Sequence, residues 1–310
     1  MKAVVLKDFD QPLSVIETQA PKPAPGEVRV RIEAASVNGF DLSVAASRLK
    51  GAVEHRFPVV LGKDFAGTVD AVGADVSGYD VGDRVFGVVT KDFMGDGSFA
   101  EYVTVPVAVG LAKLPETVGF TAGAALGLAG TAAVDAIDAA GIQDGATVLV
   151  IGATGGVGQQ ALQLAVRAGA TVTATAHSFA EVELVRELGA ANTVDYTGDL
   201  PVQVQALNPE GFDVVLHFAG DPAPLVPLVK AGGMFVSTML RSAGDIPADG
   251  FRVASIYANP SPQTLARVAA NQAEQITKVT VQRTYTLDQT PDAFADFAAG
   301  TLGKLVITTV

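Results

Sequence analysis

Apolar and polar positions alternate along residues 27–35, as a strand with one buried face requires. A shorter apolar run at 2–7 precedes it, and a Pro/Gly stretch at 21–26 separates the two. Residues 35–49 predict a turn entering a short helix. Residues 61–88 carry valines and glycines at short intervals, with charged turns at Asp75, Asp80 and Asp83, and predict a small antiparallel barrel. Residues 95–105 end in another strand, and Leu114–Pro115 mark a boundary. Beyond it the texture changes. An Ala-rich helix is predicted over 121–140. Residues 148–151 (VLVI) are then apolar without alternation, the pattern of a strand buried on both faces. Glycines follow at 152, 155, 156 and 158, then helical spacing at Leu162, Leu164, Ala165 and Val166, then a second β-branched run at 171–175. Strand, glycine turn, helix and strand make a βαβ unit. A helix at 181–188, strands at 193–196 and 212–218, a helix at 222–230 and strands at 233–238 and 251–257 continue it. Six short strands alternating with helices predict an α/β fold with a doubly wound parallel sheet. After Pro260 a helix runs to about Ala273, and residues 279–310 read as strand, helix (291–299) and strand (304–310).

Composition narrows the function classes. The 310 residues are 49 % hydrophobic with 33 glycines, room for two domains with much buried strand. The net charge of −12, without a basic block, excludes nucleic acid and an anionic membrane surface as expected partners. There is no cysteine, hence no disulfide, no thiolate nucleophile and no cysteine-ligated zinc. Residues 117–134 are uncharged but dominated by Gly, Ala and Thr, and read as a buried helix rather than a membrane span. The first residues carry Asp8 and Asp10 and no long apolar core, so a cytoplasmic location is expected.

The glycine turn is the strongest chemical signal. A dinucleotide's pyrophosphate lies at a helix N-terminus reached through a sharp turn, where glycine permits close approach of backbone to phosphate and of helix to strand. The spacing is Ala153-x-Gly155-x-x-Gly158, with alanine in place of the first fingerprint glycine. Thr154, Gly156 and Val157 complete the cradle.

Taken in order, AASVNGFD (34–41), LGKDFAGTV (61–69), VGDRVFG (81–87), GSFAEYV (97–103), GLAGTAA (127–133), VLVIGATGGVG (148–158), ELGA (187–190), VDY (194–196) and GKLVITTV (303–310) resemble the signatures of the medium-chain dehydrogenase/reductase superfamily. The chain looks like a member of its zinc-independent quinone oxidoreductase, or zeta-crystallin-like, branch. That resemblance implies a Rossmann-type nicotinamide domain over 116–258 and a mostly β, GroES-like catalytic domain formed by 1–115 with 259–310. It also implies a homodimer joined by edge strands of the nucleotide domains, with 251–257 as the pairing strand.

Zinc-dependent relatives carry a Cys in the substrate-side turn and a Gly-His-Glu segment in the barrel; here these read Asn38 and Gly62-Lys63-Asp64. His55, His177 and His217 are scattered, with no i, i+4 pair, and no metal is expected. Without a Lewis acid an alcohol is poorly converted to an alkoxide, so hydride delivery to an electron-poor acceptor is favoured.

An NAD site needs a carboxylate at the end of the second strand, to accept from the ribose 2′-hydroxyl. The chain reads Thr175-Ala176-His177-Ser178-Phe179 and has no acid there, so NADPH is the expected cofactor. In the resembled branch the 2′-phosphate is held by a small hydroxylic residue, a lysine and a tyrosine. Ser178 and Tyr196 match the first and last, the lysine position reads Glu181, and His177 or Arg186 remain as sources of positive charge. The resemblance sets the nicotinamide near Thr131, His217, Phe218, Ala219, Gly220, Ser237, Thr238 and Met239. Asn38 and Asp41 are candidates for orienting an acceptor oxygen, or else local turn caps. Phe40, Phe93, Met94 and Phe99 offer an apolar wall or ordinary packing.

The expected activity is NADPH-dependent reduction of quinones or related conjugated carbonyls. Two alternatives stand beside it. One is an enoyl-thioester or enone reductase, which needs a protonatable residue near the substrate α-carbon, where residues 35–50 offer no tyrosine. The other is a low-turnover dinucleotide-binding protein of crystallin-like or redox-sensing kind.

Overall fold

The computed structural model describes residues 1–309. In chain order the elements are β1 (Lys2–Leu6), β2 (Ser14–Glu17), β3 (Glu27–Ser36), α1 (Gly39–Ala45), β4 (Glu54–His55), β5 (Val59–Val60), β6 (Asp64–Val72), β7 (Arg84–Val88), β8 (Phe93–Met94), β9 (Tyr102–Pro106), β10 (Leu111–Lys113) and α2 (Phe120–Ala140). There follow β11 (Thr147–Ile151), α3 (Gly156–Arg167), β12 (Thr171–Thr175), α4 (Phe179–Glu187), β13 (Asn192–Val194), α5 (Leu200–Leu207), β14 (Phe212–His217), β15 (Val229–Ser237) and β16 (Arg252–Ser255). The last are α6 (Pro262–Ala273), β17 (Val281–Thr286), α7 (Thr290–Ala299) and β18 (Lys304–Thr308).

The chain divides into two compact units. The first comprises Met1–Ala129, Pro260–Glu274 and the residues from Val279 on; the second comprises Gly130–Asn259 and Gln275–Lys278. Residues 116–129, placed by the sequence with the nucleotide domain, fall in the first unit. The start of α2 is anchored there: the Leu128 N–H donates to Asp64 Oδ1 at 2.7 Å.

The first unit is built on a seven-stranded sheet in the order β10-β7-β6-β3-β18-β17, with β9 also paired to β3; β2-β1-β5 form a separate three-stranded sheet. β6 and β7 are antiparallel, as expected for 61–88, but they belong to this larger sheet, since the far side of β6 pairs with β3. Alternate residues of β3 (Val28, Val30, Ile32) point into a core with Phe65, Val85, Phe99, Leu111 and Leu305. Phe99 is fully buried here, so of the four residues offered as an apolar wall it is core.

The second unit contains the doubly wound sheet, six parallel strands in the order β13-β12-β11-β14-β15-β16. Its strands are continuously apolar because each face has its own core. Val148, Val150, Val214, Leu216 and Val236 pack with Ala136, Leu162, Ala165 and Val185. Their neighbours Leu149, Ile151, Val215 and Phe235 pack with Val204, Leu225, Leu228 and Ile246. Helix α2 is long and apolar enough to cross a membrane, yet 72 % of its most apolar window is buried inside the protein.

Three of the predicted elements take a different form. The helix predicted over 222–230 is a 3₁₀ turn at Ala223–Leu228 that runs into β15, because Pro222, Pro224 and Pro227 lack the N–H donors an α-helix uses. The strand predicted over 193–196 ends at Val194, leaving Tyr196 beyond it. The one predicted over 251–257 is confined to Arg252–Ser255.

Candidate functional site

β11 ends at Ile151 and the chain turns sharply through Gly152, whose φ of +77° is left-handed. The glycine missing at position 153 is therefore replaced one residue earlier, and Ala153 is free to bury its methyl in the core beside Ala161. Gly158 sits where the first turn of α3 crosses this loop; a Cβ there would overlap the Gly152 carbonyl oxygen. The turn is held by the Gly152 N–H, which donates to Thr175 Oγ1 (3.0 Å), and by Gln159 Nε2, which donates to the Thr154 carbonyl (2.8 Å). The N-cap of α3 is Gly155, and no side chain caps the helix. Its first N–H groups and its dipole are thus left to an anion, and Gly155, Gly156 and Val157 present backbone rather than bulk. These residues fit a dinucleotide pyrophosphate.

At the end of β12 the structure shows what surrounds the strand end. No acid follows the strand in sequence, but one reaches it in space. Ser178 is the N-cap of α4 and its hydroxyl accepts from the Glu181 N–H (3.2 Å). The Glu181 carboxylate folds back to accept from the His177 N–H (2.5 Å), the Ser178 N–H (3.3 Å) and the Tyr196 hydroxyl (3.1 Å). Asp195 lies alongside, its carboxylate bonded to the Thr197 N–H (2.8 Å), the Thr197 hydroxyl (2.7 Å) and His177 Nδ1 (3.0 Å). The Thr197 donors and then His177 hold the Asp195 carboxyl down at about 2. Arg186 is turned to Glu183 at 3.8 Å. Both basic side chains the sequence offered for a 2′-phosphate therefore face a carboxylate. The signal was legible: Ser178-x-x-Glu181 is a capping box, whose acidic side chain returns to the residue before the helix.

The carboxyl ends of β14 and β15 are tied together by His217 and Ser237, both fully buried. Ser237 Oγ accepts from the Met239 N–H (2.9 Å) and the Leu240 N–H (3.2 Å), so its own proton goes to His217 Nδ1 (2.9 Å). His217 Nε2–H then donates to the Gly220 carbonyl (3.2 Å). Burial pushes the imidazole pKa down, keeping it neutral. With both nitrogens occupied, His217 shapes this strand end rather than carrying protons. Phe218 and Thr238 are half-buried, Ala219, Gly220 and Met239 are exposed, and Thr131 is buried.

In the first unit, Asn38 and Asp41 open α1 and belong to a buried polar cluster. The Asn38 N–H donates to Asp41 Oδ2 (2.8 Å). The Asn38 amide is spent inside the protein: Nδ2 donates to Asp64 Oδ2 (2.9 Å) and Oδ1 accepts from Lys304 Nζ (2.6 Å). Asp64 also accepts from the Ser36 hydroxyl (2.7 Å) and lies 3.4 Å from Lys304. Burial, with Asp64 nearby, raises the Asp41 pKa to about 7; burial lowers that of Lys63. Asp41 and Lys63 line a narrow pocket with Phe40, Phe93 and Met94, whose free volume of about 20 Å³ admits one water. Among the described residues no group of three or more His, Cys, Asp or Glu is placed to hold a metal.

Residues 24–116 match the family model of the alcohol dehydrogenase GroES-like domain, and residues 156–267 that of zinc-binding dehydrogenase. Over 73 % of its length the chain is 35 % identical to 2-methylene-furan-3-one reductase of Solanum lycopersicum, spanning 57 % of that protein. Over 97 % of its length it is 30 % identical to a zinc-type alcohol dehydrogenase-like protein of Schizosaccharomyces pombe, covering 96 % of it. The solved quinone oxidoreductase from Coxiella burnetii is similar along 100 % of this chain and 99 % of its own, with a TM-score of 0.90 at 25 % identity.

Proposed function

Because the chain belongs to the medium-chain dehydrogenase/reductase superfamily, in its quinone oxidoreductase branch, we propose that it reduces quinones or conjugated enones by direct hydride transfer from a reduced nicotinamide dinucleotide, without zinc. The observation that carries this reading is the glycine turn into the uncapped α3, at the carboxyl edge of a parallel sheet. The names of the tomato and Coxiella relatives, an enone-type and a quinone reductase, support the acceptor class.

Each part of the chain has a share in this chemistry. Gly152 to Gly158 and the first turn of α3 bind the pyrophosphate. Thr175 fixes the turn, and the His217–Ser237 pair holds the strand ends beside it. When bound, the reduced nicotinamide supplies the hydride, a property of the cofactor itself. Zinc independence is supported by the residues at the family's metal positions. Asn38, Lys63 and Asp64 offer a carboxamide, an ammonium and a carboxylate, and the cation that meets Asn38 and Asp64 is Lys304.

The enone alternative gains a specific support. Burial raises the Asp41 pKa to about 7 beside a water-sized pocket, so the substrate-side turn has a group able to gain and lose a proton near neutral pH although it lacks a tyrosine. The reading includes a cytoplasmic homodimer joined through β16, which is the edge of its sheet, and no nucleic-acid or membrane partner.

The test is loss of reduced-nicotinamide absorbance, at several protein concentrations, with a benzoquinone, phenanthrenequinone and an enone. Turnover with at least one acceptor, undiminished by chelator, is expected. Tight dinucleotide binding without any turnover would leave a binding or sensing protein instead. Sedimentation at a mass of one 31.6 kDa protomer would remove the dimer.

A further inference from the structure

Resting on the dinucleotide site proposed above, we infer that Glu181 selects NADH over NADPH. The expectation of NADPH stood on a strand end without an acid, and the capping box of α4 supplies one. Three donors that a 2′-phosphate would need, the N–H groups of His177 and Ser178 and the hydroxyl of Tyr196, already bond to the Glu181 carboxylate. That carboxylate occupies the place of the phosphate with a built-in anion. Burial and the Glu181 bond raise the Tyr196 pKa, so the phenol stays protonated and continues to donate. Ser178 Oγ is committed as an acceptor from the Glu181 N–H.

The two basic side chains at this strand end, His177 and Arg186, each already face a carboxylate. His177 faces Asp195, Arg186 faces Glu183, and Asp195 adds a second fixed negative charge. A phosphate dianion brought here would meet two carboxylates and find three of its donors taken, with only the Ser178 O–H left to offer it. A ribose diol meets the opposite situation. A carboxylate offers about four lone-pair sites, and Glu181 uses three, leaving an acceptor for a hydroxyl. The discrimination comes from repulsion against one dinucleotide as much as from attraction to the other.

The experiment titrates the dinucleotides into the protein by fluorescence, independently of turnover. The wild-type protein is expected to bind NADH at least about ten-fold more tightly than NADPH, as like-charge juxtaposition requires. Its weak NADPH binding should strengthen with salt more steeply than that of a Glu181→Gln variant, since the net charge of −12 acts on both and only the local repulsion differs. Glu181→Gln retains a side chain suited to the capping box, so the fold is kept. It should raise NADPH affinity about ten-fold and lower that for NADH several-fold. A wild-type preference for NADPH, or a preference unmoved in Glu181→Gln, would overturn the inference. Binding of neither dinucleotide would instead overturn the functional reading, and this inference with it.

Discussion

Lys304 places its ammonium 2.6 Å from Asn38 Oδ1, a residue 266 positions earlier, and 3.4 Å from Asp64 Oδ2. All three side chains are buried. Such a pair owes its value to completeness: removing one partner strands the other charge in a poor solvent. Lys304→Met is expected to lower unfolding stability by about 3–5 kcal/mol, and adding Asp64→Asn should recover a large part of the loss. Urea unfolding followed by circular dichroism measures both. A single variant as stable as wild type would show that the pair contributes nothing.

Asp41 predicts a pH dependence of definite sign. Its folded pKa, about 7, lies above its ordinary value of 3.8, so the folded state binds the extra proton between them. Its contribution to stability is therefore complete in acid and is lost as pH rises from about 4 through about 7. Asp41→Asn should flatten the curve in that window and reduce enone turnover more than quinone turnover. A wild-type curve of unchanged slope after the substitution would remove this assignment.

The two glycines at the head of α3 should behave differently. Alanine at 158 collides with the Gly152 carbonyl, so the helix start must move; at 155 the nearest atom to a new Cβ is 3.4 Å away. Gly158→Ala is expected to lower unfolding stability as well as dinucleotide affinity, while Gly155→Ala keeps the stability and weakens binding alone, by about ten-fold, because its new methyl faces the pyrophosphate. Equal losses of stability in urea unfolding of the two variants, or unchanged dinucleotide affinity in Gly155→Ala, would contradict this division.

Ser237→Ala removes the acceptor of two N–H groups and the donor to His217. A loss of about 1–3 kcal/mol follows from buried polar groups left unpaired. His217 itself has its pKa lowered by burial, so its share of stability falls as pH drops below its ordinary 6.5, opposite in direction to Asp41. Acid unfolding of a His217→Asn variant, compared with wild type, reads this out; an unchanged acid limb would contradict it.

Much of the second unit was legible because buried parallel strands are written as uninterrupted apolar runs, and VLVI at 148–151 is followed at once by its glycine turn. The position of the Glu181 carboxylate depended on a local rule, the capping box, that sits in plain view as Ser178-x-x-Glu181. Helix α5 was missed although Asp199 caps its start and Pro201 sits in its first turn, because the segment is short and its VQVQ core alternates like a strand. Asn38, Asp64 and Lys304 lie in three separate motifs, and nothing in local pattern announces that residues so distant will meet in one cluster. The pairing of β3 with β6 on one side and β18 on the other brings them together.

That pairing has a consequence for how the chain is made. β11 to β16 are contiguous, so their sheet can close as soon as residues 147–255 have left the ribosome. The seven-stranded sheet cannot, because β18 runs between β3 and β17 and is synthesised after every strand it joins. Until residues 304–308 arrive, residues 34–36 of β3 have no partner on one side and Asp64 waits for its cation. The nascent first unit is thus the stage at which this protein is most exposed to aggregation, and where a chaperone has most to protect.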